Sequence, residues 1–498
     1  MSAVLQTAPT PRSYPAARSV AVAHGDGIGP EIMDAVLHVL AEAGAPLRLL
    51  PVTLGERAYR AGERAGIAPA AWEVIAEHGV LLKAPLTTPQ GGGYKSVNVT
   101  LRKTLGLFAN VRPCVAYAPH VVSAHPGMDV VIVRENEEDT YGGIEHRQTD
   151  EVVQCLKLVS RPGCERIVRH AFDYALRNGR RKVTCMTKDN IMKLTDGLFR
   201  RVFEEVAADY PQIQSEHRII DIGAARLATR PRDFDVVVTL NLYGDILSDI
   251  AAELAGSIGM AASANIGLHG AMFEAVHGSA PDIAGRDVAN PSGLLQAAVM
   301  LLVHLGLPEE AARIHNAWLC TLEDGVHTAD IAGHGTRRQV GTRAFAQAVA
   351  QRLGRRPQQL PAVAYARADA PAPTAAAAAT APVPAARKTC HGLDVFLHWD
   401  APGRDPEALA ARLQPLAGEA FRLAVITNRG VKVWPQGRPE TFRTDHWRCR
   451  FLHRDGDASP QALAALLARI ADAGLDWIKN EQLYAFDGQP GFSAAQGE

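Results

Sequence analysis

Apolar and polar positions follow two different rhythms along this chain, and the switches between them mark its elements. Residues 19–23, Ser-Val-Ala-Val-Ala, form a short β-branched run that predicts a strand. Gly25 to Gly29 predicts a turn, and Pro30 stands where a proline opens a helix. Ile32, Val36, Val39 and Ala43 then keep helical spacing. Similar strand-like runs recur at 130–133, 182–186 and 235–240, with longer helical patterns between them. This alternation, carried to residue 353, predicts an α/β fold with a largely parallel core.

The rhythm stops over residues 354–389. That stretch holds Pro371, Pro373, Pro382, Pro384 and an alanine run at 375–379, with almost no large apolar residue, and it reads as a Pro/Ala-rich linker. Beyond it, 392–399 reads as a strand and 406–416 as a helix; two strands flank the hairpin-like turn Asn428-Arg429-Gly430. A strand at 447–453 and a helix at 460–473 follow. The order βαβββα, closed by a short last strand, predicts a compact α+β domain over 390–498 that resembles a ferredoxin-like sandwich. Residues 1–18 contain Arg12 and Arg18, no acidic residue and several prolines, so a disordered leader is expected rather than a transit peptide.

Composition narrows the possibilities. At 498 residues the chain is long enough for two to four domains, and 47% apolar with 21% charged residues is ordinary for a globular protein. A net charge of −1 gives no electrostatic case for nucleic acid or an anionic membrane. No apolar run reaches the roughly 18 residues of a membrane span. The seven cysteines show no CxxC spacing and no Cys/His cluster, so zinc and disulfides are not expected and a reducing, cytoplasmic location fits.

The chemistry concentrates in a few runs. In Tyr243-Gly244-Asp245-Ile246-Leu247-Ser248-Asp249 the two aspartates lie four apart and share one face of a helix. Two hard oxygen donors there suit Mg²⁺ or Mn²⁺. Ahead of them stand Ser96, Asn98, Arg102, Arg112 and Arg134, and guanidinium groups bind carboxylates bidentately, so a ligand with several carboxylates is expected beside the metal. Gly25-Asp26-Gly27-Ile28-Gly29 invites a dinucleotide-fingerprint reading, but the sixth position is Pro30. A tight strand-to-helix turn is the better reading. The triple glycine 91–93 predicts a loop with special φ values that leads into a helix bearing Asn98 and Arg102 one turn apart.

Five blocks occur in the order of the β-decarboxylating dehydrogenases: TTPQGGGYKSVNVTLRKTLGLFANVRP, VIVRENEEDTYGGIE, TKDNIMKLTDGLF, NLYGDILSD and HGSAPDIAGRDVANP. Over residues 18–353 the chain resembles an isocitrate dehydrogenase of the isocitrate/isopropylmalate dehydrogenase family. Its tail resembles the extra C-terminal domain of a longer-chain bacterial subgroup. The resemblance implies that family's α/β fold, which is not a Rossmann fold. It also implies a large cofactor-binding domain at 19–107 and 256–353, and a small domain with a dimer clasp at 108–255.

By the same resemblance Ser96, Asn98, Arg102, Arg112 and Arg134 bind isocitrate. Asp221, Asp245 and Asp249 hold Mg²⁺ or Mn²⁺, Lys188 assists proton removal, and Tyr141 returns a proton to the enol. Asp221 and Lys188 are expected from the neighbouring subunit of a homodimer with shared active sites. Read without the family, Asp221 is a solvated acid at a strand end and Tyr141 a buried tyrosine. Thr88 and Asn190 are implied near the nicotinamide, and His277, Asp282, Ile283 and Asn290 near the adenosine. Where NADP-using relatives carry Lys-Tyr, this chain has Asp282-Ile283, and an aspartate there accepts ribose hydroxyls and repels a 2′-phosphate. The expectation is an NAD⁺-dependent oxidative decarboxylation of isocitrate. Homoisocitrate is the alternative substrate, because a difference of one methylene is discriminated by only about 1–3 kcal/mol.

Overall fold

The computed structural model describes residues 17–89, 94–366 and 385–497. The expected leader, apart from its last two residues, lies outside the described residues, as do the glycines 91–93 and the middle of the expected linker. Contacts divide the described chain into two units. One holds the chain up to Tyr141, Val159–Ile191 and the long stretch from Asp196; the other joins Gly142–Leu158 and Met192–Thr195 to the C-terminal part.

The first unit is built on a ten-stranded sheet. From one edge it runs Leu47–Pro51, Arg18–Ala23, Val80–Lys83, Ala271–Ala275 and Ala262–Ile266. It continues through Ala109–Val115, Asp129–Glu135, Val236–Thr239, Lys182–Thr187 and Gln214–Ile219. The predicted strands are all present within a residue or two. The outer pairings are parallel, as expected, but the strands Ala262–Ile266 and Ala109–Val115 pair antiparallel with each other and with both neighbours. Hydrophobic period reports that a strand is half-buried or buried, not which way it runs, so this centre was not legible.

Two layers of helices bury the sheet. Gly29–Glu42, Ser292–His304, Pro308–Glu323 and Thr342–Ala350 share one core with the strands at the first edge. Ser292–His304 is buried on nearly every side, so it is apolar all round rather than striped. Trp318 fills the core beside it and donates its indole N–H to Ser292 Oγ at 2.8 Å. Arg161–Arg177 and Thr195–Ala207 cover the other end through Phe172, Phe199 and Phe203.

The Gly25–Gly29 turn is structural. Gly27 has φ +58°, a Cβ there would meet Ser279 O at 1.9 Å, and Ile28 N donates to that same oxygen at 2.8 Å. The turn thus clamps the loop that follows strand Ala271–Ala275. Part of the expected linker is also packed: Glu323 accepts the backbone N–H groups of Gln358, Gln359 and Leu360, and Asn316 and Val363 exchange two hydrogen bonds.

The second unit carries a six-stranded antiparallel sheet in the order Val431–Trp434, Phe421–Asn428, His446–His453, Lys388–His398, Asp476–Phe486 and Gln489–Pro490. Helices Pro406–Leu413 and Pro460–Asp472 pack into its core. Setting aside the two short edge strands leaves βαββαβ, the ferredoxin-like arrangement expected, although the last full strand is 11 residues long rather than short. Arg429 and Gly430 both have positive φ, as a two-residue type I′ hairpin requires. The hairpin Glu145–Arg147/Val153–Cys155, which sequence places within 108–255, belongs to this unit. Asp445 accepts from Thr149 Oγ1 at 2.5 Å and from the Asp150 and Glu151 amides, and Arg404 pairs with Glu151.

Among the described residues no helix is long and apolar enough to cross a membrane, and all seven cysteines are free. His170 and His315 are buried in the first unit, and burial pushes both imidazoles down to about 4 from 6.5. Between those values the unfolded chain binds more protons than the folded one, so stability falls as pH falls from 6.5 toward 4. Each imidazole contributes a slope of about 1.4 kcal/mol per pH unit in that window. In urea titrations, His170→Gln is expected to flatten the wild-type slope by about one such increment. Equal slopes would show that the native imidazole is protonated.

Candidate active site

Four strand ends and the helices after them place the candidate residues. Strand Asp129–Glu135 ends next to Val236–Thr239 with Arg134 opposite Thr239, and helix Asn241–Ala255 starts two residues later. Gly244 lets that helix lie directly on the arginine, since a Cβ there would meet Arg134 Cβ and Cγ at 2.6 Å. Asp245 and Asp249 therefore stand one helical turn apart over two buried arginines. Arg134 pairs with Asp245 and donates to Asn241 Oδ1 at 2.8 and 3.0 Å. Arg112, on strand Ala109–Val115, donates to Asp249 at 3.1 Å, Ser248 at 2.6 Å and Asn110 at 2.7 Å, and lies 3.4 Å from Asp245.

Tyr141 joins the same cluster. Its hydroxyl donates to Asp245 Oδ2 at 2.6 Å, and the Arg134 guanidinium lies 4.9 Å from its ring centre. Burial, and then the Asp245 carboxylate, push the phenol above its ordinary pKa. Burial lowers Arg134 to about 10, and Arg112 and Arg102 add to the shift. That concentration of positive charge suits an incoming anion. Burial works against the Asp245 carboxylate, but Arg134 and Arg112 outweigh it and hold the pKa low. Asp249 is raised, first by burial and also by its neighbour Asp245. A divalent cation between the two would relieve that repulsion, and their hard oxygens fit Mg²⁺ or Mn²⁺.

Ser96 caps helix Val97–Thr104 and sits 3.4 Å from Thr88 Oγ1. Asn98 follows with its Oδ1 buried and unpartnered. Arg102 is nearly buried and donates to Glu274 at 2.8 Å; Lys83 pairs with the other oxygen of Glu274 at 2.5 Å, and Asn265 donates to it at 2.8 Å. Burial alone would lift this carboxyl, but Lys83 and Arg102 hold it far below the usual range. Glu274 thus fixes Arg102 from behind. Sequence reading missed it, although a lone acid in the apolar strand Ala271–Ala275 was a signal.

Lys188 and Asp221 form a separate pair at 2.7 Å. Strands Lys182–Thr187 and Gln214–Ile219 run parallel with Thr187 opposite Ile219, so the residues just after them meet at one sheet end. The Lys188 hydrogen bond, and after it the Ile222 backbone N–H, hold the Asp221 carboxyl below its ordinary pKa. Asn190 lies exposed in the turn after Lys188. Among the described residues no group of three His, Cys, Asp or Glu side chains is arranged to hold a metal. One chain thus brings Asp245, Asp249, Tyr141, Arg112 and Arg134 together, but leaves Lys188 and Asp221 apart from them.

On the cofactor side, Thr87 and Ser279 hydroxyls meet at 2.8 Å, linking the segment before Thr88 to the loop of His277, Asp282 and Ile283. His277 Nε2 is buried and unpartnered, and burial lowers its pKa. Asn290 donates to Asp330 at 3.0 Å and accepts from Ser292 N at 2.9 Å, so it is already engaged. Asp282 is exposed.

Residues 19–349 match the family described as isocitrate/isopropylmalate dehydrogenase, and residues 388–498 match the bacterial isocitrate dehydrogenase C-terminal domain. The chain belongs to the isocitrate/isopropylmalate dehydrogenase family. It is 51% identical to a Rickettsia bellii isocitrate dehydrogenase (NADP), over 96% of this chain and 99% of that protein. A Thermus thermophilus isocitrate dehydrogenase (NADP) is 46% identical over 96% of each. A crystal structure of a protein from Thermus thermophilus superposes with a TM-score of 0.90 at 44% identity, again over 96% of each chain.

These relatives correct the expectation of NAD⁺ and of an NAD-linked enzyme class. Nearly full-length relatives at 46–51% identity are named for NADP, so Asp282 and Ile283 do not mark an NAD⁺ enzyme. The physical reason is that an exposed residue such as Asp282 does not by itself fix which charges meet a 2′-phosphate, because that is set by the summed charge of the surface. Arg286 lies four residues on in the same turn, and Asp287 draws in Arg343, accepting its backbone N–H at 3.0 Å with the guanidinium 3.5 Å away.

Asp245→Asn and Asp249→Asn are each expected to weaken Mn²⁺ binding by at least about tenfold, read as free Mn²⁺ by electron paramagnetic resonance. Unchanged affinity in both would place the metal away from this helix.

Proposed function

We propose that this chain forms a homodimeric NADP⁺-dependent isocitrate dehydrogenase, converting D-isocitrate to 2-oxoglutarate and CO₂ with Mg²⁺ or Mn²⁺. The observation that carries this reading is the convergence of buried Arg112 and Arg134 on the paired carboxylates of Asp245 and Asp249. The near full-length similarity to NADP-named relatives supports it.

In this reading Arg102, Arg112 and Arg134 take the substrate carboxylates, exchanging their internal aspartates for the ligand. Ser96 and Asn98 donate to the remaining carboxylate. The aspartates released by this exchange, with Asp221 of the partner subunit, hold the divalent cation. When bound, the cation supplies Lewis-acid stabilisation of charge on oxygen, and the nicotinamide supplies the hydride acceptor. Lys188 of the partner subunit takes up the hydroxyl proton, directly or through Asp221. Tyr141, whose raised pKa keeps it protonated at neutral pH, delivers a proton to the carbon that has lost CO₂. Arg286 and Arg343 are the cations proposed to meet the 2′-phosphate.

The dimer reading rests on an uncovered apolar stripe. Leu242, Ile246 and Ile250 recur at four-residue spacing beside the aspartates and are 36%, 53% and 37% exposed; Ile222, on the helix of Asp221, is 52% exposed. Such a patch on a folded chain marks an interface. The double variant Ile222→Asp/Ile250→Asp is expected to run as a monomer in light scattering and to lose turnover. A dimer that persists would move the interface elsewhere.

Steady-state turnover on D-isocitrate with Mn²⁺ is expected to favour NADP⁺ over NAD⁺ by roughly a hundredfold in kcat/KM, as a desolvated charge contact allows. Arg286→Ala should shrink that ratio. A preference for NAD⁺, or for homoisocitrate in place of isocitrate, would overturn the reading.

A further inference from the structure

The central strands of the large sheet have two faces, and the candidate site uses only one. Along Ala109–Val115, Asn110 and Arg112 serve the site, so Val111, Pro113 and Val115 project the opposite way. Along Ala262–Ile266, Ser263 and Asn265 bond to Asn110, leaving Ala262, Ala264 and Ile266 on the far face. Along Ala271–Ala275, Glu274 holds Arg102 while Phe273 faces away.

Behind these strands lies a half-open cavity of about 640 Å³, flanked by helices Ser292–His304 and Arg161–Arg177. That size falls within the range of small-molecule sites, roughly 300–1,000 Å³. Val111, Ala264, Phe273, Val299, Met300 and Val303 supply apolar wall.

Two buried polar groups in that wall lack partners. His170 is 7% exposed and neither ring nitrogen is hydrogen-bonded; Gln296 is 9% exposed and its Nε2 donates to nothing. Burial keeps the His170 ring neutral at physiological pH, so it offers one N–H and one lone pair. His315, on the same wall, is satisfied by the Tyr365 hydroxyl at 2.6 Å. Unpaired groups of this kind are rare in folded proteins and mark where something else completes the pairing. Arg177 at the wall is 48% exposed with Asp173 3.6 Å away, so the interior offers no buried charge to a charged guest.

The geometry points to a second ligand site in this cavity, for a small uncharged molecule with a flat apolar body and a carbonyl oxygen. The body packs against Phe273 and the valines of helix Ser292–His304, and the oxygen accepts from Gln296 Nε2 and the His170 N–H. A charged ligand would be stripped of water there without a counter-ion. The inference rests on the composition of the wall and holds whatever reaction the opposite face catalyses.

The test is a fluorescence titration of the full-length protein with 7-methoxycoumarin, a neutral bicyclic carbonyl compound whose emission responds to its surroundings. We expect saturable binding at one site per chain that saturating NADP⁺ does not displace. Ala264→Leu and Val303→Phe, which fill the cavity from two sides, should each abolish it. Gln296→Leu should weaken it by about fivefold, the loss of one hydrogen bond. Absence of saturable binding, displacement by NADP⁺, or unchanged affinity in whichever filled variant folds would overturn the site. Unchanged affinity in Gln296→Leu would overturn the assigned carbonyl contact.

Discussion

The structure of the site depends on how two buried arginines are neutralised. Arg112 and Arg134 are almost fully buried, and an unpaired buried cation is costly. Asp245 and Asp249 meet that need from a helix laid directly across the arginine strands. The same two hard-oxygen carboxylates suit a divalent cation, so one set of charges can support two arrangements. The arginines face the aspartates; under the proposed function they would turn to substrate carboxylates and leave the aspartates to a metal. A site built this way is held in shape before any ligand arrives, which reduces the ordering cost of binding.

Glu274 extends the same logic one layer deeper. It faces two cations, Lys83 and Arg102, with a single negative charge. The trio therefore keeps an excess positive charge beside the cluster of Arg112 and Arg134, which favours a polyanion. Asn265 bonds both Glu274 and Asn110, and Asn110 bonds Arg112, so the two clusters share one hydrogen-bond network across three strands. Polar chains of this kind fix geometry when every member is satisfied. Here the network lies on one face of the sheet and the cavity wall on the other.

Much of this was legible in the chain itself. The alternation of strand and helix patterns located the sheet strands, and the four-residue spacing of Asp245 and Asp249 put them on one helix face. What spacing could not show is which distant groups those side chains meet. Glu274 lies 172 positions from Arg102, and no local pattern announces that pair. Strand direction at the sheet centre was likewise invisible, because burial period is the same for either direction. Within the expected linker, backbone amides at 358–360 find an acceptor in Glu323, a contact that composition cannot foresee. The cofactor expectation drawn from Asp282-Ile283 is overturned by the NADP-named relatives, because recognition of a phosphate is decided by the sum of charges on a surface, which one pair of positions does not report.

The separation of Lys188 and Asp221 from the other candidates has the same character but leads further. Each chain presents a salt-bridged pair at one sheet end and an arginine–aspartate–tyrosine cluster at another. The helix offers a cation two carboxylates, and such an ion accepts further oxygen donors besides them. The uncovered stripe of Leu242, Ile246 and Ile250 runs along the very helix that carries those two, and Ile222 sits next to Asp221 on its own helix. Apolar surface beside each half-site is what a two-fold contact would bury, because an isologous interface brings the same patch from both copies together. Under the proposed function, burying that stripe against a second copy is what would bring the pair of one chain to the cluster of the other. The uncovered stripe and the separation of the two groups would then have a single physical explanation.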